Sequence, residues 1–402
     1  MLKTPLNYYI YDVNTNMFIS VDKTFYYFLK ECEDSDKKEI SIEDKNIRNN
    51  IDHLQAQGFL LAKYPQEIRH FYSDLVEYQL NENIMQMCLQ VTQQCNFRCS
   101  YCVYCNNDYE FQREHSSKHM SIETALTAVD FFAARCRDQE NIFIGFYGGE
   151  PLLEFELIKQ ITKYAEKKLY GKNLKFVITT NASLLTLDIA SFFYEHNFML
   201  TISLDGVEET HNRSRRFASN GHGSFSVIEQ NLHKIRQRYP DFKLSYSVVI
   251  DPRYPCDSLH KYFNQDEQFI NSDISSTLID DSFSVEKTIA SDIYLQQNDL
   301  YSFKSYLAYR GVYDKERVSR LSYSALTTNF ERIKKNMKSS VMLPDITAPG
   351  GPCITGQKRL FVSAEGYLFP CEHVSETSEV MKIGDIWSGF DFKKVDNLLN
   401  IA

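Results

Sequence analysis

The sequence predicts an α/β protein whose largest part is a partial (β/α)6 barrel of the TIM type. From Met85 onward, short apolar runs typical of buried strands alternate with stretches of helical periodicity. Six such strands, most of them separated by a helix, are the pattern of parallel βα units. Four polar motifs also follow directly after predicted strands, and the reactive loops of a βα barrel lie at that end of its strands.

Each predicted element after Met85 is a short segment with one clear periodicity. The strands are "MQMCLQVT", "NIFIGFYGG", "LKFVITTN", "FMLTISLDG", "LSYSVVID" and "DISSTLID". The helices are "SIETALTAVDFFAARC", "LLEFELIKQITKYAEKKLYG", "TLDIASFFYEHN" and "SFSVIEQNLHKIRQRY". Residues 281–345 are expected to be mainly helical, so we assign residues 81–345 to the barrel and a helical extension.

A small separate unit is expected before the barrel. "NYYIYDV" and "MFISVD" alternate like strands around the turn "NTN", and "KTFYYFLKEC" follows as a short helix. A second, amphipathic helix should end at Gly58, with "FLLAKY" as a closing strand and "PQEIRHFYSDLVEYQLNEN" as a connector. The predicted domains are therefore residues 1–80, 81–345 and 346–402.

Composition excludes several classes of protein. A net charge of −9 argues against a general nucleic-acid binder, which would carry a basic face. No apolar run is long enough for a membrane helix, and the opening "MLKTPLNYYIYD" lacks the apolar core of a secretory signal, so we expect a cytoplasmic protein. Ten cysteines in a reducing compartment indicate a metal site or redox chemistry rather than disulfides.

The four polar motifs are expected on one rim of the barrel, because the carboxyl ends of parallel strands meet there. In chain order they are Cys95-x-x-x-Cys99-x-x-Cys102, Gly148-Gly149-Glu150-Pro151, Thr179-Thr180-Asn181 and Ser203-Leu204-Asp205-Gly206.

Three cysteines on one loop can bind three irons of a cubane iron–sulfur cluster and leave the fourth iron open. The alternative is a structural zinc site, which closes with four ligands. Cys105 could supply the fourth ligand, because Cys102 and Cys105 have the spacing of a zinc-binding pair.

The cysteine motif, with the aromatic Tyr101 before its last cysteine, resembles the cluster loop of the radical SAM (S-adenosylmethionine) enzymes. The "GGEP" stretch strengthens the resemblance. It implies that Cys95, Cys99 and Cys102 bind a [4Fe–4S] cluster whose open iron binds SAM. It also implies that Gly148, Gly149 and Glu150 hold the methionine amine, and Tyr101 is counted among the cofactor-binding residues.

The stretch "SLDGVEETHNRSRRF" resembles the ribose- and carboxylate-binding segment of the same family. On this resemblance Ser203 and Asp205 meet the ribose or sulfonium region, and Arg215 meets the SAM carboxylate. An arginine fork suits a carboxylate chemically. Asn181 is expected in the cofactor pocket. Two points stay open: the family often has His-Asp where this chain has His211-Asn212, and Arg213, Arg215 and Arg216 could form a plain solvated basic patch.

The C-terminal segment "CITGQKRLFVSAEGYLFPC" places Cys353 and Cys371 around a predicted hairpin that turns at Glu365-Gly366. Its spacing resembles the first half of the SPASM extension, which carries auxiliary iron–sulfur clusters. No cysteine follows Cys371, so the end of the extension is expected to be missing. An auxiliary cluster on Cys353 and Cys371 is then absent or completed by other ligands.

The whole chain resembles the radical SAM maturases of cysteine-rich, ribosomally made peptides, most of all in "GQKRLFVSAEGYLFPCEHVSETSEVMKIGDIWSGFD". The resemblance implies a 5′-deoxyadenosyl radical and intramolecular thioether crosslinks to cysteine sulfur. It also implies a precursor peptide whose leader adds as a strand to the N-terminal unit, and a low-potential electron donor such as ferredoxin or flavodoxin. The alternatives are carbon–carbon crosslinking, side-chain oxidation as in sulfatase maturation, and a non-catalytic peptide-binding relative.

The remaining candidate ligands are interpreted as structural. Cys32, Cys88, Cys136 and Cys256 are isolated in the sequence, and three of them lie beside apolar stretches, which favours inert thiols. His115 and His119 have a helical ligand spacing but lie in the polar stretch "EHSSKH", so we interpret them as a solvated pair.

Overall fold

The computed structural model describes residues 1–33, 42–62, 64–104, 113, 115–265, 269, 272–281, 287–336, 343–348 and 354–400. Its packing divides the chain into two compact units. One comprises residues 1–73, 333–351 and 400–402, and the other comprises residues 74–332 and 352–399. The division into three domains at residues 80 and 345 remains a prediction.

The described part of the chain contains strands and helices in the following order. The strands are β1 Leu2–Lys3, β2 Tyr8–Asp12, β3 Met17–Val21, β4 Glu67–Ile68, β5 Gln86–Thr92, β6 Asn141–Gly148, β7 Asn173–Thr180, β8 Phe198–Ser203, β9 Leu244–Ile250, β10 Ile274–Leu278, β11 Ile346–Thr347, β12 Leu360–Val362, β13 Tyr367–Phe369, β14 Gly384–Asp385 and β15 Gly389–Phe390. The helices are α1 Lys23–Glu33, α2 Lys45–Ala56, α3 Val76–Glu82, α4 Ile122–Ala133, α5 Phe155–Lys168, α6 Leu187–Glu195, α7 Glu208–Ser214, α8 Phe225–Arg238, α9 Asp257–Gln265, α10 Asp292–Tyr309, α11 Arg320–Asn336 and α12 Phe392–Leu399.

The smaller unit contains a three-stranded antiparallel sheet in the order β1-β2-β3. Ile10 packs against Phe25 of α1 and Leu54 of α2. The predicted hairpin and both helices are confirmed. The predicted closing strand "FLLAKY" is wrong for its described residues, because Leu60 has a left-handed φ of 52° and its N–H donates to Asp12 Oδ1 instead of to a strand.

The six predicted strands of the barrel form one parallel sheet in the order β10-β9-β8-β7-β6-β5. Helices α4, α5, α6 and α8 connect successive strands, which confirms the α/β fold. On one face of β7, β8 and β9 the side chains are largely buried, as for Phe176, Leu200 and Val248. Strands β10 and β5 stand at opposite ends of the parallel set, so the described strands form an open, partial barrel.

A C-terminal hairpin extends this sheet beyond β5. Strand β12 pairs with β13 in antiparallel fashion and with β5 in parallel fashion, with Phe361 opposite Cys88. The turn falls at Glu365-Gly366, as predicted, and Gly366 has a φ of 84°. The attachment of the hairpin to β5 was not anticipated from the sequence.

No helix in the described ranges combines the length and apolar character that crossing a membrane requires.

Candidate active site

The loop after β6 lies directly on the cysteine loop after β5. The N–H of Gly149 donates to the carbonyl oxygen of Thr92 at 3.1 Å, and the N–H of Glu150 donates to that of Gln94 at 2.8 Å. A Cβ on Gly148 would lie 1.9 Å from the Thr92 oxygen, and one on Gly149 would lie 2.1 Å from the Gln94 oxygen. Both glycines are therefore required by the approach of the two backbones to each other.

The other side of the cysteine loop pairs with the segment that follows α7. The N–H of Arg98 donates to the carbonyl oxygen of Arg216 at 2.9 Å, and the N–H of Ala218 donates to that of Asn96 at 2.8 Å. Phe97 bridges to Phe217, and their rings meet edge to face at 5.0 Å. The cysteine loop is thus fixed by backbone hydrogen bonds on both sides.

A cavity of about 300 Å³ opens where these loops meet. Most of the site residues predicted from the sequence line it: Cys95, Cys99, Tyr101, Cys102, Gly148, Gly149, Glu150, Asn181, Ser203 and Arg215. Asp205 is not part of this lining, although it contacts three residues that are, Tyr101, Arg215 and Val249. The structure brings the four motifs together, while the cofactor atom that each residue would contact stays a prediction.

The cysteine thiols suit iron ligation. Burial raises the pKa of Cys95 to about 12 and that of Cys99 to about 11. Such thiols stay protonated at neutral pH unless a cation compensates the thiolate charge, and binding to iron supplies that compensation. The donor set therefore fits an iron–sulfur cluster.

The described residues contain no group of three or more His, Cys, Asp or Glu side chains that converges on one point, as the ligands of a single ion would. In a cubane cluster each cysteine binds a different iron, so the sulfur atoms need not converge. Cys105, the candidate fourth zinc ligand, lies outside the described residues.

Glu150 is buried and links the second motif to the third. Its carboxylate accepts hydrogen bonds from Thr180 Oγ1 at 2.7 Å, from the N–H of Asn181 at 2.8 Å and from the N–H of Leu152 at 3.0 Å. Burial raises its pKa, and these hydrogen bonds oppose the rise. Its carboxylate therefore already fixes the loop after β7 beneath the cavity.

Asn181 fixes the same loop to the cysteine loop. Its Nδ2 donates to Asn96 Oδ1 at 2.9 Å, and its Oδ1 accepts from the hydroxyl of Ser183 at 2.7 Å. The third motif thus contacts the cysteine loop after β5 and the Glu150 loop after β6.

A buried ion pair joins the cysteine loop to the fourth motif. Arg215 Nε donates to Asp205 Oδ2 at 2.9 Å, and the hydroxyl of Tyr101 donates to the same oxygen. Asp205 Oδ1 accepts from the N–H of Val249 at 3.0 Å. Among the described residues, the hydrogen bond of the Arg215 side chain is made by Nε, and Arg215 also lines the cavity. Arg215 is buried, so the alternative of a solvated basic patch is wrong for this residue.

His211 and Asn212, where the family often has His-Asp, both make hydrogen bonds within the protein. Asn212 Oδ1 accepts the N–H of Phe225 at the start of α8, at 3.0 Å, which is a bond that a carboxylate oxygen would also make. His211 is fully buried, its Nδ1 accepts from the N–H of Asp205, and its Nε2 lies 3.0 Å from the hydroxyl of Ser224. These residues position Asp205 and do not reach the cavity lining.

Sequence reasoning missed one part of the cavity wall. It is lined by residues outside the four motifs, among them Tyr104, His115, Tyr147, Val249, Thr277 and Asp280. The interpretation of His115 as solvated is wrong, because this histidine is half-buried and stacks on Tyr104. Tyr147 was detectable, since it directly precedes the "GGEP" motif on a predicted strand.

The cysteines outside the three-cysteine loop differ in how far they are buried. Burial raises the pKa of Cys32, Cys88, Cys136 and Cys256, which keeps these thiols protonated at neutral pH. Cys371 is half-buried just beyond β13. Cys353 lies outside the described residues.

Comparisons with known proteins agree with this site. Residues 89–255, which include all four motifs, match the family model of the radical SAM superfamily. The match contains the three-cysteine loop and strands β6 to β9 and ends before β10. The cofactors of this superfamily are a [4Fe–4S] cluster and SAM.

Two curated relatives match about half of the chain. A cysteine-type anaerobic sulfatase-maturating enzyme of Clostridium novyi (strain NT) is 35% identical over 189 residues, 44% of this chain and 47% of the relative. The radical SAM cyclopropyl synthase TigE of Paramaledivibacter caminithermalis is 23% identical over 207 residues, 49% of this chain and 43% of the relative. The matches thus span under half the length of either relative.

The fold is similar to that of native anSMEcpe with bound AdoMet, a solved structure. The TM-score is 0.59 at 20% identity, and the similarity covers 77% of this chain and 80% of that one. This likeness shows that the two chains share a similar fold over most of their length.

Proposed function

We propose that this chain is a radical SAM enzyme that modifies a ribosomally made peptide, forming thioether crosslinks within it. One observation carries the proposal: the three cysteines of the loop after β5, the Gly-Gly-Glu loop and the Arg215 side chain line a single cavity. When bound, the cluster and SAM together supply a 5′-deoxyadenosyl radical that removes a hydrogen atom from the substrate.

The chain's own residues would divide the work of holding the cofactors. Cys95, Cys99 and Cys102 would bind the cluster, and the backbone of Gly148 and Gly149 would lie beside the methionine amine. Arg215 would bind the SAM carboxylate through its terminal nitrogens, while Asp205 holds its Nε in place. Tyr101, Asn181 and Ser203 would complete the pocket.

The choice of thioether chemistry rests on the C-terminal stretch that resembles maturases of cysteine-rich peptides. In that resemblance Cys353 and Cys371 belong to a SPASM-like extension. Cys371 is a candidate ligand of an auxiliary cluster, since it lies just beyond a strand of the main sheet. A low-potential donor such as ferredoxin or flavodoxin would reduce the cluster.

The leader of the precursor would bind the small unit. Strand β3 has a neighbour on one side among the described strands, so its other edge can accept an added strand. Phe18 on β3 is 62% exposed and stacks near Tyr11 of β2, which offers apolar contact to such a strand.

A second candidate is oxidation of a cysteine or serine side chain. The sequence match to an anaerobic sulfatase-maturating enzyme, at 35% identity, favours it specifically. A non-catalytic peptide-binding role is the third.

The deciding experiment is anaerobic reconstitution with iron and sulfide, followed by incubation with SAM, dithionite and a cysteine-containing precursor peptide encoded beside the gene. We expect 5′-deoxyadenosine, together with a peptide that has lost two hydrogens and one alkylatable thiol for each crosslink. Conversion of one cysteine to an aldehyde, by loss of two hydrogens and then exchange of its sulfur for the oxygen of water with release of hydrogen sulfide, would favour the second candidate if every other thiol is unchanged. Absence of 5′-deoxyadenosine would leave the non-catalytic role.

A further inference from the structure

The wall formed by Tyr104, His115 and Tyr147 belongs to the cavity but to none of the four motifs. Radical attachment of carbon to sulfur also requires a proton to leave the substrate thiol. A group that accepts this proton must line the cavity and carry a lone pair that is not used elsewhere.

His115 is held in one orientation by two contacts. Its Nδ1 lies 3.2 Å from the carbonyl oxygen of Gln93, two residues before the first cysteine of the loop. Its ring stacks on Tyr104 with the centroids 5.4 Å apart and the planes at 25°. The backbone N–H of His115 also donates to the carbonyl oxygen of Tyr104 at 3.3 Å.

The contact with Gln93 determines the tautomer. A carbonyl oxygen can only accept a hydrogen bond, so Nδ1 of His115 carries the hydrogen. In the neutral imidazole Nε2 then has the free lone pair. Among the described residues no side chain or backbone group hydrogen-bonds to this Nε2.

The other titratable groups on the wall are less suited to accept a proton. The oxygens of Glu150 already accept three hydrogen bonds from the protein. Burial raises the pKa of Tyr147 to about 12 and raises that of Tyr104 further, so both phenols stay protonated. Asp280 follows β10, at the edge of the parallel sheet opposite to β5.

We propose that Nε2 of His115 is the general base that removes the thiol proton of the substrate cysteine; this inference rests on the proposed function. In this step the S–H bond breaks and an N–H bond forms, leaving a thiolate and an imidazolium, which returns the proton to solvent. No electron is transferred in the step. His115 thereby prepares the sulfur atom for bond formation to carbon.

The test compares His115→Gln with His119→Gln. Glutamine can still donate to the Gln93 carbonyl but cannot accept a proton at neutral pH. His119 is exposed and its Nδ1 lies 3.4 Å from the carbonyl oxygen of Ser117, so it serves as the matched control. We expect the ratio of crosslinked peptide to 5′-deoxyadenosine to fall about 100-fold in H115Q and to stay unchanged in H119Q.

A second variant separates a chemical role from a structural one. In His115→Ala, added imidazole should restore the ratio of crosslinked peptide to 5′-deoxyadenosine, whereas it should not restore that ratio in H115Q, whose side chain fills the space. An unchanged ratio in H115Q, or a loss that Asp280→Asn alone produces, would overturn the role of His115 while the proposed function stands. If the wild-type enzyme made 5′-deoxyadenosine but no thioether, both proposals would fall together.

Discussion

We expect each of the three cysteines in the loop after β5 to be required for the iron–sulfur cluster. Each would bind a separate iron, so the loss of one leaves an iron without its protein ligand. Cys99→Ala should therefore lose the iron–sulfur absorbance after anaerobic reconstitution and lower 5′-deoxyadenosine formation at least about 100-fold. Cys32→Ala, which changes a cysteine of the small unit, is the control and should retain both signals.

Gly149 is constrained by the room beside it, because an added side chain would overlap the carbonyl oxygen of Gln94. Gly149→Ala places a methyl group 2.1 Å from that oxygen, and the two loops must separate to relieve the overlap. We expect a loss of about 2–4 kcal/mol in the free energy of unfolding, measured by urea denaturation.

Gly171→Ala is the comparison for Gly149→Ala. Gly171 has a φ of 92° and no atom near an added Cβ, so its cost is backbone strain of about 1 kcal/mol. Equal losses in the two variants would show that the contact between the loops contributes nothing.

Local sequence patterns identified the cysteines and glycines because each motif is contiguous. The ion pair between Asp205 and Arg215 and the link from Asn181 to Asn96 could not be predicted in the same way. Both depend on loops meeting in space, which requires the register of neighbouring strands and not only their positions in the chain.

Strands and helices with strong periodicity were predictable, and the elements that failed had weak local signals. The six parallel strands were found because each is a short apolar run between polar loops. The segment after Gly58 was also apolar, yet Leu60 turns back to Asp12 and forms no strand. Attachment of β12 to β5 was not predictable, since any exposed strand edge could have accepted the hairpin.

A buried histidine in α9 contacts α10 and the residue just before α11, and this contact makes the packing of these helices sensitive to pH. His260 of α9 stacks on Tyr301 of α10 at 3.9 Å, and its Nδ1 lies 2.6 Å from the hydroxyl of Ser319. Burial lowers the pKa of His260 to about 4, from an ordinary value of 6.5. Between these pH values the unfolded chain binds more protons, so stability should fall as the pH drops from about 6.5 to 4.

We expect this histidine to contribute up to about 3 kcal/mol to the loss of stability over that range. His260→Gln should therefore show a weaker dependence of Tm on pH than the wild type does. Some dependence should remain, because burial also lowers the pKa of His211 to about 4. The exposed His222 is the control: His222→Gln should keep the wild-type dependence, and an identical dependence in H260Q would contradict the assignment.

Because the chain divides into two compact units, we predict that a substitution can change peptide binding without changing the radical chemistry. If the leader adds to β3, Phe18→Ala should weaken binding of a labelled precursor peptide about tenfold, since a large exposed ring is removed from the strand. Fluorescence anisotropy measures this directly. Formation of 5′-deoxyadenosine without peptide should not change.

Tyr64→Ala supplies the matched control for Phe18→Ala. Tyr64 belongs to the same unit and is 75% exposed, but it lies outside the three-stranded sheet. Equal affinities for the wild type and both variants would argue against binding of the leader at β3.

The hairpin of β12 and β13 covers the side of β5 that the parallel sheet leaves open. Strand β5 is almost entirely buried, and its row of backbone donors and acceptors would otherwise be exposed to other chains. Shortening the gene ahead of residue 354 to obtain a minimal catalytic core would uncover that row. Such a fragment should form insoluble aggregates during expression, even though every cofactor-binding motif is still encoded.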